Sequence, residues 1–175
     1  MVSALTDRPV THYHGVDLAE PALELAAENL EVLVCELELE QADFIEAMRE
    51  RPERADLVWI GLSLHHLDTP DKLELLREIR RVLDPSGRLM IYDPTIPDDE
   101  DLATLHLWEE AIVRDRWTML TGAEIEAVVR HIHESDLPET VSDTVTMGHE
   151  AGFASVEQRY VSPTNIYRMF VYRPR

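Results

Sequence analysis

The 175 residues carry 16 Lys and Arg against 35 Asp and Glu, a formal net charge of −19, with no basic run longer than a pair such as Arg80-Arg81. Nucleic-acid binding depends on neutralising phosphates with basic side chains, so DNA or a large RNA is disfavoured as a partner. The 45% apolar share supports one domain with a sizeable core, no apolar run approaches the ~18 residues of a membrane span, and the single cysteine, Cys35, excludes an internal disulfide and a Cys-based zinc site.

Residues 10 to 17 read as a strand, and Glu20 to Leu30 as a helix with Pro21 in its first turn, where a missing N–H has no bond to lose. Residues 36 to 41, ELELEQ, alternate acid and leucine as a half-buried strand would, and a short helix is expected over Phe44 to Arg51. The run ADLVWIGLSL, 55 to 64, is almost wholly apolar, which suits a strand covered on both faces. Thr69 is placed to cap a helix before Pro70, with Leu73, Leu76, Ile79 and Leu83 along one face. DPSG at 84 to 87 reads as a turn, and RLMIYD at 88 to 93 as another strand.

After Asp93 the pattern changes. An acidic amphipathic helix carrying Trp108 and Trp117 is expected over 98 to 117, and Thr121 with Glu124 forms a capping box for a helix to about His133. Ser142 is placed to cap a third helix, stopped at Gly152, and two strand-like runs, 154 to 161 and 166 to 173, suit an antiparallel hairpin around SPTN. Strands alternating with helices at this spacing predict an α/β fold with a doubly wound, mostly parallel sheet. The expected layout is one domain over residues 1–175, with a helical insert at about 98–140 and a C-terminal hairpin. With no signal-peptide layout in the first residues, a cytoplasmic location and no membrane partner are expected.

Ligands of open parallel sheets bind beyond the carboxyl ends of the strands, and two carboxylates fall there, Asp17 and Asp43. A carboxylate can accept from both hydroxyls of one ribose, or from an exocyclic amine, and Phe44 beside Asp43 offers a wall for a flat base. Each Asp also suits a plain turn or capping role. His65, His66 and Asp93, at other strand ends, are candidates for a base or a substrate contact, with loop packing as the alternative. His12 and His14 share a strand face and could chelate, whereas His131 and His133 point about 200° apart on a helix. No third ligand is evident beside either pair, so no metal is expected. Trp108 and Trp117 could line an aromatic pocket or simply pack helices.

Three stretches together resemble consecutive motifs of class I S-adenosylmethionine-dependent methyltransferases, whose fold is Rossmann-like: YHGVDLAEPALELAAENL, then ELEQADF, then DLVWIGLSLHHLDTPDKLELLREIRRVLDPSGRLMIYDP. LHHL before a helix ending REIRRVLDPSGRL is the most specific piece, and EAGFASVEQRY resembles the close of that fold. The resemblance implies S-adenosyl-L-methionine as cofactor and methyl transfer to a small-molecule or unidentified acceptor. It implies Asp17 on the ribose hydroxyls, Leu18 against the adenine, Asp43 and Phe44 at the adenine amine and edge, and Gly61 and Ser63 near the methionine part. The insert at 98–140 has the place of a substrate lid.

The family's first strand ends in a Gly-x-Gly loop that cradles the methionine portion. The six glycines here, at 15, 61, 87, 122, 148 and 152, include no two separated by one residue. The expectation is a domain lacking its first strand, glycine loop and helix, with residues 4 to 9 as that helix's tail and with impaired activity. The strands ending at Asp17 and Gly61 should then pair directly, or a partner chain, such as a second copy in a homo-oligomer, should fill the slot between them. Two rival readings are a non-catalytic methyltransferase-like subunit and a nicotinamide-dependent oxidoreductase, which also places an acid after its second strand.

Overall fold

The computed structural model describes residues 10–51 and 54–175, and the chain divides after Arg51 into two compact units. The expectation for residues 4 to 9 lies outside the described residues.

The first unit is one β-α-β repeat followed by a helix: β1 (His12–Asp17), α1 (Glu20–Leu30), β2 (Glu36–Gln41) and α2 (Phe44–Glu50). β1 and β2 pair in parallel, with His12 opposite Glu36 and Asp17 opposite Gln41. Parallel neighbours need a crossover, and α1 supplies it, with its proline in the first turn and Leu30 buried at its end. The alternation in ELELEQ predicted the strand, but its leucines are only partly covered, Leu37 being 39% exposed.

The second unit holds β3 (Ala55–Gly61), a 3₁₀ turn (Leu64–His66), α3 (Thr69–Val82), β4 (Leu83–Pro94), α4 (Leu102–Arg116), α5 (Gly122–Ser135), α6 (Val141–Glu150), β5 (Ser155–Val161) and β6 (Tyr167–Arg173). Its sheet runs β3-β4-β6-β5, with β3–β4 parallel and the pairs β4–β6 and β5–β6 antiparallel, so the terminal hairpin is present as expected. β4 and β6 are the central strands, and Leu89, Ile91, Phe170 and Tyr172 on them are almost fully buried. α3 buries Leu75, Leu76, Ile79 and Val82.

Several local expectations are corrected. Asp68, not Thr69, caps α3, accepting from the Asp71 amide at 2.9 Å, which leaves Thr69 and Pro70 in the first turn. Thr140, not Ser142, caps α6. The DPSG turn is absorbed into β4 as a register shift opposite Ala55 and Leu57, while Asp84 still accepts from the Ser86 amide and hydroxyl as a turn aspartate does. β3 stops at Gly61 because Leu62 adopts a left-handed conformation with φ 57°. It is an edge strand of its sheet with Leu57 and Trp59 partly exposed, so covering on both faces is not what its apolar run encodes.

β1 and β3 belong to different units, and each lies in a sheet of its own unit. Each is already matched to one parallel partner across a helical crossover, β1 to β2 and β3 to β4.

The insert expected at 98–140 contains α4 and α5, joined through the Thr121–Glu124 capping box and a core of Val113, Val129 and Ile132. Leu105 packs on Ile96 and Ile166 at the end of the sheet, and Trp108 lies against this cluster. Trp108 is therefore a packing residue, and Trp117 is the half-exposed C-cap of α4.

Candidate functional site

In the first unit, β1 ends at Asp17 and β2 at Gln41, so the parallel register brings Asp17 and Asp43 to the same carboxyl edge. Asp17 Oδ1 accepts from the Ala19 amide at 2.8 Å, and Asp43 Oδ1 accepts from the Ile45 and Glu46 amides at 2.9 and 3.2 Å as the cap of α2. Both acids thus hold turns, as the plain reading has it. In each, however, the local bonds fall on one carboxylate oxygen and leave the other able to accept from a ligand. Leu18 is 65% exposed between them, its carbonyl held by Gln41 Nε2 at 3.0 Å, and Phe44 opens α2 half-buried.

The second unit gathers the other candidates where β3 gives way to the 3₁₀ turn. A Cβ at Gly61 would sit 2.8 Å from the Trp59 indole nitrogen, so this glycine makes room for its own neighbour two residues back. Ser63 uses both donors locally, its hydroxyl on the Gly61 carbonyl at 3.2 Å and its amide on Asp93 Oδ1 at 3.0 Å. Asp93, 6% exposed at the end of β4, also accepts from the His65 amide at 2.8 Å and lies 3.0 Å from His65 Nδ1. Three donors on one buried carboxylate mean that Asp93 fixes the turn and aligns His65. A carboxylate with amide partners is an acceptor, so Nδ1 of His65 carries the proton and Nε2 is the nitrogen left for other work.

Around Nε2 lies a polar cluster that sequence reasoning did not assemble. Asp136, the C-cap of α5, is 6% exposed, and its buried Oδ1 has no hydrogen-bond partner. That oxygen lies 3.8 Å from His65 Nε2, 3.4 Å from His66 Nδ1 and 3.6 Å from His131 Nε2. Glu109 and His106 of α4 are each 5% exposed, and Glu109 Oε2 and His106 Nε2 are likewise unpartnered. The electrostatics follow from this crowding. Burial opposes a charge on His65, but the hydrogen bond and charge of Asp93, with Asp136, more than offset it and raise its pKa. Burial and the neighbouring His65 lower that of His66. Burial, reinforced by Asp136, pushes the Glu109 carboxyl up to about 7.

The remaining histidines are engaged elsewhere. His12 pairs with Glu36 at 2.8 Å and His14 with Glu40 at 2.9 Å, so the strand pair faces carboxylates. His131 and His133 diverge as helix geometry requires, His133 going to Glu110 at 3.2 Å. Sequence reasoning had no signal for Asp136 or Glu109, which lie 71 and 44 residues beyond His65. Nor did it foresee Lys72, 1% exposed on the buried face of α3, whose Nζ bonds the Leu137 carbonyl and, at 2.9 Å, Glu139 Oε1.

Residues 1–87 match the model of a family described as a methyltransferase domain. A curated relative, 2-methyl-6-phytyl-1,4-hydroquinone methyltransferase of Synechocystis sp., is 31% identical over 87 residues, 48% of this chain and 26% of the relative. Among solved structures, the S-adenosylmethionine-dependent methyltransferase SibL superposes with a TM-score of 0.68 at 19% identity, over 99% of this chain and 47% of SibL. PigF, solved with S-adenosylhomocysteine, gives 0.63 at 14% identity, over 98% of this chain and 46% of PigF. The chain therefore spans less than half the length of these proteins. Family match and shared fold agree with the motifs around Asp17, Asp43 and LHHL: residues 1–87 match a methyltransferase domain, and the chain has the fold of S-adenosylmethionine-dependent methyltransferases.

Proposed function

We propose that this chain takes part in methyl transfer from S-adenosyl-L-methionine to a small molecule. The observation that carries the reading is the parallel register that puts Asp17 and Asp43 on one carboxyl edge, each with an oxygen to spare. That donor set fits the nucleoside half of the cofactor: Asp17 for the ribose hydroxyls, Leu18 for an adenine face, Asp43 with Phe44 for the exocyclic amine and ring edge. Bound cofactor supplies an electrophilic methyl group, and in-line attack on it needs chiefly positioning. Within the second unit, His65 offers Nε2 as a base, with Asp93 as the positioning residue that keeps the proton on Nδ1. Gly61 and Ser63 shape the turn that carries His65.

These 175 residues contain no Gly-x-Gly, so the methionine carboxylate lacks the backbone donors that such a loop supplies. Loss of two or three charge-assisted bonds, at about 1.5–3 kcal/mol each, corresponds to an affinity on the order of a hundredfold or more below that of a complete site. Calorimetric titration with S-adenosylhomocysteine tests the reading. We expect weak, saturable binding that Asp17→Ala reduces by about a hundredfold, the equivalent of two ribose bonds at about 1.5 kcal/mol each. Equal binding by the variant removes Asp17 from the site, and micromolar binding by the unaltered chain refutes the importance given to the loop.

A further inference from the structure

We propose that His65, His66 and Asp136 form a binding site for a divalent transition metal ion of the zinc class. Among the described residues, one ligand atom from each of His65, His66 and Asp136 lies within 4.8 Å of the others. The distances themselves discriminate between a metal site and a hydrogen-bond network. Nitrogens at 3.4, 3.6 and 3.8 Å from Asp136 Oδ1 are too far for N–H···O bonds, which fall near 2.7–3.2 Å. Two ligands of one tetrahedral ion, each about 2.0–2.1 Å from it, lie about 3.3 Å apart. Two imidazole nitrogens, from His65 and His66, and one carboxylate oxygen, all within 4.8 Å of one another, leave the place of an ion between them.

Chemistry agrees with geometry. With Nδ1 donating to Asp93, neutral His65 presents the lone pair of Nε2 toward an anionic oxygen, an opposition that a cation, proton or metal ion, relieves. The Asp93–His65 contact is the carboxylate–imidazole support that orients metal-binding histidines in general. Asp136 Oδ1 is fully buried and unpartnered, a costly condition for a carboxylate unless something positive meets it. The site is also held rigid. His65 and His66 share the 3₁₀ turn, the Leu137 amide donates to the His65 carbonyl at 2.8 Å, and buried Lys72 holds the Leu137 carbonyl from the other side. His66 and His131 have side chains 42% and 57% exposed, which gives an ion a path in from solvent. A metal on Nε2 occupies the lone pair that a base needs, so metal loading and proton abstraction by His65 exclude one another.

The test reads metal binding directly and does not depend on methyl transfer. The whole chain, stripped with chelator, is titrated with Co²⁺ alone, and its visible ligand-field absorption is followed. We expect one equivalent to give an intense tetrahedral band that Zn²⁺ displaces. Asp136→Asn should abolish it, and Asp93→Asn should weaken binding by about 10–100-fold through His65. The double variant His12→Ala/His14→Ala should leave it unchanged. If Asp136→Asn does not fold, His66→Ala, which alters a partly exposed side chain, decides instead. Absence of the band at millimolar Co²⁺, or an unchanged band in His66→Ala, overturns the proposal.

Discussion

Asp93→Asn is the sharpest probe of the turn that carries His65. The carboxylate is buried and accepts from two backbone amides, Ser63 at 3.0 Å and His65 at 2.8 Å, while facing His65 Nδ1 at 3.0 Å. An isosteric amide keeps one acceptor oxygen and turns an NH₂ group toward a donor. If the oxygen stays with Ser63 and Nδ1, the His65 amide is left facing a donor; if the amide flips, the Ser63 amide is orphaned. Either way one buried N–H is left unmet, at about 1–3 kcal/mol, and the surviving bonds lose their charge assistance, for a total of about 2–4 kcal/mol. Leu62 adds to the sensitivity, because its φ of 57° costs about 1–2 kcal/mol, which the two clamped amides just after it hold in place. Asp93→Ala, which loses all three bonds, should be worse than the amide. Urea unfolding followed by circular dichroism measures this as a fall in midpoint of roughly 1–2 M, for a slope of about 1–3 kcal/mol/M. Hydrogen exchange should show Ser63 and His65 losing protection first. A midpoint for Asp93→Asn within error of the unaltered chain, or an alanine variant no worse than the asparagine, refutes the clamp.

Two further perturbations test the packing and the buried charge. The raised pKa of Glu109 means that the folded state keeps a proton which the unfolded chain releases near the ordinary value of 4.5. Its contribution to stability is therefore full below pH 4.5 and is lost as pH rises to about 7, by about 3 kcal/mol at 1.36 kcal/mol per unit. Melting curves across that window in chelator-treated buffer should flatten in Glu109→Gln, and an unchanged pH slope contradicts the assignment. Gly148 of α6 faces the hairpin so closely that a Cβ would lie 2.5 Å from Val156 Cγ2 and 2.7 Å from Tyr172 Cε1. Helix propensity favours alanine there by about 1 kcal/mol, but overpacking against the buried Tyr172 costs about 1–3 kcal/mol, so Gly148→Ala should lower the melting temperature by a few degrees. A variant that melts higher shows that the ring yields.

What could be read from the chain follows from which forces act locally. The β1, α1 and β2 boundaries, the Thr121–Glu124 capping box and the terminal hairpin all rest on interactions within a few residues, and those expectations agree with the structure. The errors at Asp68 and Thr140 are between neighbouring residues of similar capping ability, where tertiary position decides which hydroxyl or carboxylate faces the amides. Motif reading placed Asp17 and Asp43 because strand ends can be counted along the sequence. It identified His65 and Asp93 as candidates without pairing them, since the parallel β3–β4 register that joins them spans 28 residues.

The polar cluster was illegible for a different reason. Glu109 lies on α4, where periodicity assigns acids to solvent, Asp136 lies just past the end of α5, where an acid reads as an ordinary loop residue, and Lys72 lies on α3 among leucines as an apparent interruption. Buried lysine bonded to Glu139 and to the Leu137 carbonyl holds the segment that begins at Asp136, and the Leu137 amide binds the His65 carbonyl, so one charged residue out of pattern positions the next. Such an arrangement opposes folding: two acids keep unpartnered buried oxygens, and Glu109 keeps a raised pKa. Solubility does not require charges in the interior, and apolar side chains of similar volume would be at least as stabilising there. Here several buried polar groups that break the local pattern, His65, Glu109 and Asp136, lie close together. A cost concentrated in this way marks residues kept for what they bind, and it makes the His65 turn, more than the sheet behind it, the place where function should be sought.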